Sequence, residues 1–155
     1  MASEKILLPY NFSKSDKKAL DFVVRTFSPS VTSVHITLFH AYTPLPKIDT
    51  SKSTVMERLT SGMGYARQRI NELEKDLRKI HTLLVQKGFP RDHVQTEFRA
   101  KNKDIAFEII DLAVKDGYSI IVLNRKPGRV TRFFTGAVFQ KVVAGLSDKT
   151  VCIVS

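Results

Sequence analysis

The sequence predicts an α/β fold, a three-layer α/β/α sandwich with a five-stranded parallel sheet, on three observations. Short apolar runs alternate with amphipathic stretches along the whole chain, the order expected when helices cover a parallel sheet. Ser119-Ile-Ile-Val-Leu-Asn124 is β-branched and apolar without alternation, as a strand buried on both faces should be. No linker composition, internal repeat or low-complexity tract divides the chain, so residues 1–155 are expected to form one domain around a single core.

Each element has its own reason. Lys5-Ile-Leu-Leu-Pro9 is the first strand, and Ser13 with Asp16 three residues on makes a capping-box-like start for a helix. Ala19, Phe22, Val23 and Phe27 are that helix's apolar stripe, and Ser28-Pro29 ends it. Val31 to Tyr42 is the second strand, followed by a Pro-containing loop over Thr43 to Ser53. From Met56 to Leu84 apolar residues recur at spacings of three and four, one long helix closed by Gly88 and Pro90. A helix laid across the sheet accounts for that seam better than a coiled coil within so short a chain. Val94 to Arg99 is a third, less buried strand. Asn102 is placed to cap a helix with the stripe Ile105, Ala106, Ile109, Leu112 and Ala113, closed by Asp116-Gly117. After the Ser119 strand come a basic turn, a helix within Thr131 to Leu146, and a last strand at Lys149 to Val154. Right-handed crossovers fold this order into three layers.

Composition narrows the function classes. Apolar residues make up 43% and charged residues 26%, a globular balance, and no apolar run approaches a bilayer span. The N-terminus lacks a signal peptide's pattern, and the single cysteine, Cys152, permits no internal disulfide, so a cytoplasmic protein without membrane association is expected. The formal charge of +10 favours anionic partners. Nucleic acid ranks last among them, because no aromatic–basic surface pattern is present.

Most chemical motifs can be set aside. Gly62-Met63-Gly64 lies inside the long helix, with Arg67 where a third glycine belongs. His35 and His40 point to opposite faces of a strand, His81 and His93 have no ligand-spaced partners, and no metal site is expected. Asp104, Glu108 and Asp111 share a helix face, read as solvated. Cys152 reads as an inert core or interface thiol. With no credible general base, no enzyme is expected. Two features remain at the C-terminal ends of strands, where open α/β sheets bind ligands. One is Tyr10-Asn11, in which Asn11 either reads a base edge or orders the turn, the two readings standing equal. The other is the basic loop of Arg125, Lys126, Gly128, Arg129 and Gly136, suited to an anion.

Lys5-Ile-Leu-Leu-Pro-Tyr-Asn-Phe-Ser13 with Lys18-Ala19-Leu20, Leu38-Phe39-His40-Ala41-Tyr42, Ile105-Ala-Phe-Glu-Ile109, Ser119 to Asn124, the Gly128 to Gly136 loop and Thr150-Val-Cys-Ile-Val154 stand in a distinctive order and spacing. Through them the chain resembles, over its whole length, the universal stress protein family, an adenine nucleotide alpha hydrolase-like fold. The resemblance implies a small, stress-induced cytoplasmic dimer, some of whose relatives bind ATP. It also implies a nucleotide pattern of Gly, two residues, Gly, nine residues, Gly, then Ser or Thr. Matched here, the first glycine is Asn124 and the second Pro127, with Gly128 a partial replacement. Only eight residues then precede Gly136, and the hydroxyl residue is Ala137. The family's aspartate after the first strand is Asn11, and its glycine before the third helix falls near Lys103.

The cofactor-contact set expected is therefore Tyr10, Asn11, Ala41, Asn124, Arg125, Gly128, Arg129, Gly136 and Ala137, with ATP the candidate cofactor and its binding weak or absent. The chain should act as a homodimer through its C-terminal strand and through protein contacts. An ATP-binding switch with at most slow hydrolysis is the alternative.

Overall fold

The computed structural model describes residues 3–45, 53–125 and 138–155. Five strands, β1 (Glu4–Pro9), β2 (Val34–Tyr42), β3 (Val94–Ala100), β4 (Ile120–Asn124) and β5 (Thr150–Val154), form one sheet in the order β3-β2-β1-β4-β5. All its pairings are parallel, with Ile6 beside both Ile36 and Ile120, Ile36 beside Val94, and Ile120 beside Thr150. The central strand has no solvent side. Ile6, Leu7 and Leu8 are all fully buried, which is why its sequence runs apolar without alternation.

Helices α1 (Lys14–Phe27) and α2 (Ser53–Gln86) cover one face of the sheet, and α3 (Ile105–Lys115) and α4 (Val138–Gly145) the other. Ile6, Leu8, Ile36 and Leu38 pack with Ala19, Leu20, Val23, Leu77 and Leu84 in the first layer. Leu7, Phe39, Ile121 and Leu123 pack with Ala106, Ile109, Leu112 and Val142 in the second. Alternate strand residues thus serve separate cores.

Local signals act where the sequence puts them. Ser13 and Asp16 form a reciprocal capping box on α1. Gly88, at φ +106°, turns the chain after α2 so that Phe89 can drop into the core and donate its N–H to the Leu84 carbonyl. The long helix differs from expectation in burial. Leu77 and Leu84 are buried, but Ile70 and Leu73 only partly, and Tyr65 is 75% exposed, so among the described side chains of α2 the buried ones lie toward its C-terminal end.

Two expectations at α3 are corrected. Its cap is Asp104, whose carboxylate accepts the Phe107 N–H at 2.8 Å, and not Asn102. The Asn102 N–H is instead committed to Glu108 at 2.8 Å. Glu108 itself is not solvated. It is 2% exposed, and receives the N–H groups of Asn102 and Lys103 and the Arg99 guanidinium at 3.1 Å. Nearby cations and the Phe107 N–H hold the Asp104 carboxyl below its ordinary range, the backbone bond being the largest cause.

At the sheet edge, β5 leaves Ile153 exposed and Cys152 half-buried. Burial pushes the Cys152 thiol up, so the thiolate is scarcer at neutral pH than in an unfolded chain. Alkylation by iodoacetamide should therefore run several-fold slower in the native protein than in urea. Equal rates would mean that the thiol is freely solvated.

Candidate functional site

The C-terminal ends of β1, β2 and β4 converge on a cavity of about 230 Å³. It lies where neighbouring strands β1 and β4 send their connections to opposite faces, the crevice position of open parallel sheets. Tyr10, Asn11, Ala41 and Asn124 all line it, four residues brought together from three separate loops and strand ends. Arg125 is exposed beside this group and does not line the cavity; its N–H donates to the Val154 carbonyl at 2.8 Å and ties β4 to β5. Gly128, Arg129, Gly136 and Ala137 lie outside the described residues.

The polar end of the cavity is organised by Asp16. This carboxylate is 2% exposed and accepts from the Ser13 N–H at 2.9 Å, the Ser13 hydroxyl at 2.6 Å and the Asn124 amide. Because Asn124 donates one N–H through Nδ2, its carbonyl oxygen and its second amide N–H are left for another partner. His40 is also fixed. Its Nδ1 lies 2.8 Å from the Tyr10 carbonyl oxygen, which can only accept, so Nδ1 carries the hydrogen. Tyr10 is buried, and burial, then Asp16, then Asp21, pushes its phenol up and keeps it neutral. Phe12 adopts φ +61°, a conformation that few bulky residues hold, with its ring edge-on to Tyr10 at 5.2 Å and tilted over His40 at 5.3 Å. Ile105, Ile109, Leu123, Val138 and Phe139 supply apolar walls.

Sequence reasoning saw Asp16 only as a cap and set His40 aside, yet both line the cavity. No local signal betrayed their roles. A cap and a cavity wall have the same spelling, and the partner of Asp16, Asn124, is 108 residues away. Beyond Ala41 the site opens into a groove of about 700 Å³ between the β2 end and α2, lined by Phe12, Tyr42, Tyr65, Arg69 and Lys101 among others. Among the described residues, no three His, Cys, Asp or Glu side chains are grouped to hold a metal ion, and no helix is long and apolar enough to cross a membrane.

Against known proteins, the family model described as the universal stress protein family matches residues 2–154. A search of curated proteins returns no match. Solved structures are similar in fold. The hypothetical protein MJ0577 is 22% identical with a TM-score of 0.69, over 99% of this chain and 96% of that one. A universal stress protein from Archaeoglobus fulgidus in complex with dAMP is 15% identical with a TM-score of 0.65, over 100% of both chains. A universal stress protein in complex with cAMP is 15% identical with a TM-score of 0.61, over 99% of this chain and 98% of that one.

Proposed function

The chain belongs to the universal stress protein family, and on that premise we propose a non-catalytic stress-response protein of the cytoplasm that acts as a homodimer through protein contacts, with weak or no ATP binding. The observation that carries this reading is the buried Asp16 carboxylate in the cavity wall. A carboxylate shielded from water repels phosphate with little screening. The Asp16 carboxylate in the cavity wall is already engaged by three donors, which supports a structural role for it. For the dimer, the support is β5. It is an edge strand whose outward row includes the exposed Ile153, and such edges pair readily with a second copy.

A nucleotide switch is the second reading, favoured by the convergence of Tyr10, Asn11, Ala41 and Asn124 on one cavity and by relatives solved with dAMP and cAMP. Calorimetry with ATP and magnesium separates the two. Little or no heat at millimolar ATP is expected; tight binding abolished by Arg129→Ala would transfer the conclusion to the switch. Light scattering tests assembly. The full chain should have a dimer's mass at micromolar concentration and a variant lacking residues 151–155 a monomer's, and a dimer indifferent to that deletion would refute the β5 interface.

A further inference from the structure

The apolar stripe of α2 continues past the part of the helix that packs on the sheet. Leu77 and Leu84 are buried, whereas Ala66, Ile70 and Leu73, on the same stripe, are half-buried and line the groove of about 700 Å³ between α2 and the end of β2. The groove also has an aromatic wall. Tyr42 is backed by Phe98, the rings stacked at 4.8 Å and 26°, and Phe98 lies against His40 at 5.7 Å and 14°. Phe12, packed on Tyr10 and His40, adds a second lining ring. Two cations line the same groove, Arg69 from α2 and Lys101 from the residue after β3, and no lining residue described is a carboxylate. The Lys101 N–H donates to the Tyr42 carbonyl at 2.8 Å, which fixes that turn beside the ring wall. Arg69 meets Glu72 through one nitrogen at 3.5 Å, so among the described residues most of its five N–H groups stay uncommitted.

We infer that this groove binds a small aromatic carboxylate, its flat ring body against Tyr42, Phe12 and the α2 stripe and its carboxylate taken by the Arg69 guanidinium, with the Lys101 ammonium adding charge. Flat apolar rings stack on aromatic walls, and a guanidinium fork matches a carboxylate with two parallel hydrogen bonds. The charge of the lining selects an anion over a cation. A hydrocarbon ring suits the α2 side better than a nucleobase does. Ala66, Ile70 and Leu73 offer no side-chain donor or acceptor, and a base edge left unpaired there is costly. Because Tyr42 is already backed by Phe98, little ordering of the ring wall is needed on binding. The groove is distinct from the neighbouring cavity: Tyr65, Arg69, Ile70 and Leu73 line only the groove, and Ile109, Leu123 and Asn124 only the cavity. The inference therefore stands apart from nucleotide binding in the cavity.

The test is calorimetric titration of the full chain with naphthoate, an aromatic carboxylate, at neutral pH. One saturable site per chain is expected, half-filled below millimolar probe, with the uncharged naphthamide about tenfold weaker. Arg69→Ala should weaken naphthoate about tenfold and leave naphthamide nearly unchanged, a split that a general loss of structure does not produce. Arg69 is exposed, so its removal spares the core. Arg78→Ala removes the same charge from α2 outside the groove and should bind naphthoate as the natural chain does. Methyl spectra of the unsubstituted chain give an independent readout: naphthoate should move the signals of Ala66, Ile70 and Leu73 and leave those of Ile109 and Leu123. No saturable binding at millimolar naphthoate, naphthamide binding as tightly as naphthoate, an equal loss in Arg78→Ala, or shifts confined to Ile109 and Leu123 would each overturn the site, the last by placing the ring in the cavity.

Discussion

Replacing Arg99 with leucine should lower the unfolding free energy by about 3 kcal/mol, the cost of leaving a buried carboxylate without its cation. Glu108 is 2% exposed and would keep only the two backbone N–H groups of Asn102 and Lys103. The lower end of the expected range applies because the Arg99 side chain is 30% exposed and water can enter where it stood. The guanidinium does more than neutralise: it also stacks over Phe39, with 5.5 Å to the ring centroid, and donates to the Glu108 carbonyl at 3.3 Å. A double variant, Arg99→Leu with Glu108→Leu, should recover part of the loss, since an apolar pair no longer strands a charge. Urea denaturation measures both. A single-variant loss below about 1 kcal/mol would mean that Glu108 is hydrated, as ordinary surface ion pairs are.

The second large effect concerns Asp16. Substituting alanine removes the reciprocal cap of α1 and strands the Asn124 amide and the Ser13 N–H at the cavity wall. The Ser13 hydroxyl can still accept the backbone N–H at position 16, and each of the two stranded donors costs about 1–3 kcal/mol, so a total near 3 kcal/mol is expected. Asp16→Asn should cost less, because the amide oxygen can still accept from Ser13. It also removes a negative charge from the cavity wall, so ATP should bind this variant more tightly than the natural chain. If thermal unfolding of Asp16→Ala matches the unsubstituted protein, the bond to Asn124 is not formed in solution. If Asp16→Asn leaves ATP affinity unchanged, the electrostatic account of weak binding fails.

The fold was legible because its signals are local and repeated. Ile120 to Leu123, short, β-branched in part and bounded by turn signals, reads as a strand buried on both faces, and the threes and fours from Met56 to Leu84 read as a helix. What escaped was whatever depends on two distant segments meeting. Glu108 looked solvated because its helix position, read alone, lies among Asp104 and Asp111; Arg99 and the Asn102 turn, which bury it, belong to a different strand and loop. Asn102 looked like a cap because the residue type fits, but its N–H was already claimed by that same carboxylate. The site divided along the same line. Tyr10, Asn11, His40 and Asn124 sit at or near strand ends, which the pattern marks, whereas Asp16 belongs to α1 and joins the site through a bond to Asn124 that no spacing rule encodes.

The strand order also governs what happens as the chain emerges during synthesis. β1 is central, so one of its edges is satisfied early by β2, while the other waits for β4, whose register partners Ile120 and Ile121 lie more than a hundred residues downstream. Until those residues leave the ribosome, the nascent half-sheet β3-β2-β1 presents Ile6, Leu7 and Leu8 on an open edge. Loop closure over such a distance is slow, and unpaired apolar edges are sites of misassociation. A chain stalled or cleaved before Ile120 is thus a hazard in a way that one lacking only β5 is not, and chaperones that hold extended apolar segments should engage it over the interval between completion of β3 and arrival of β4.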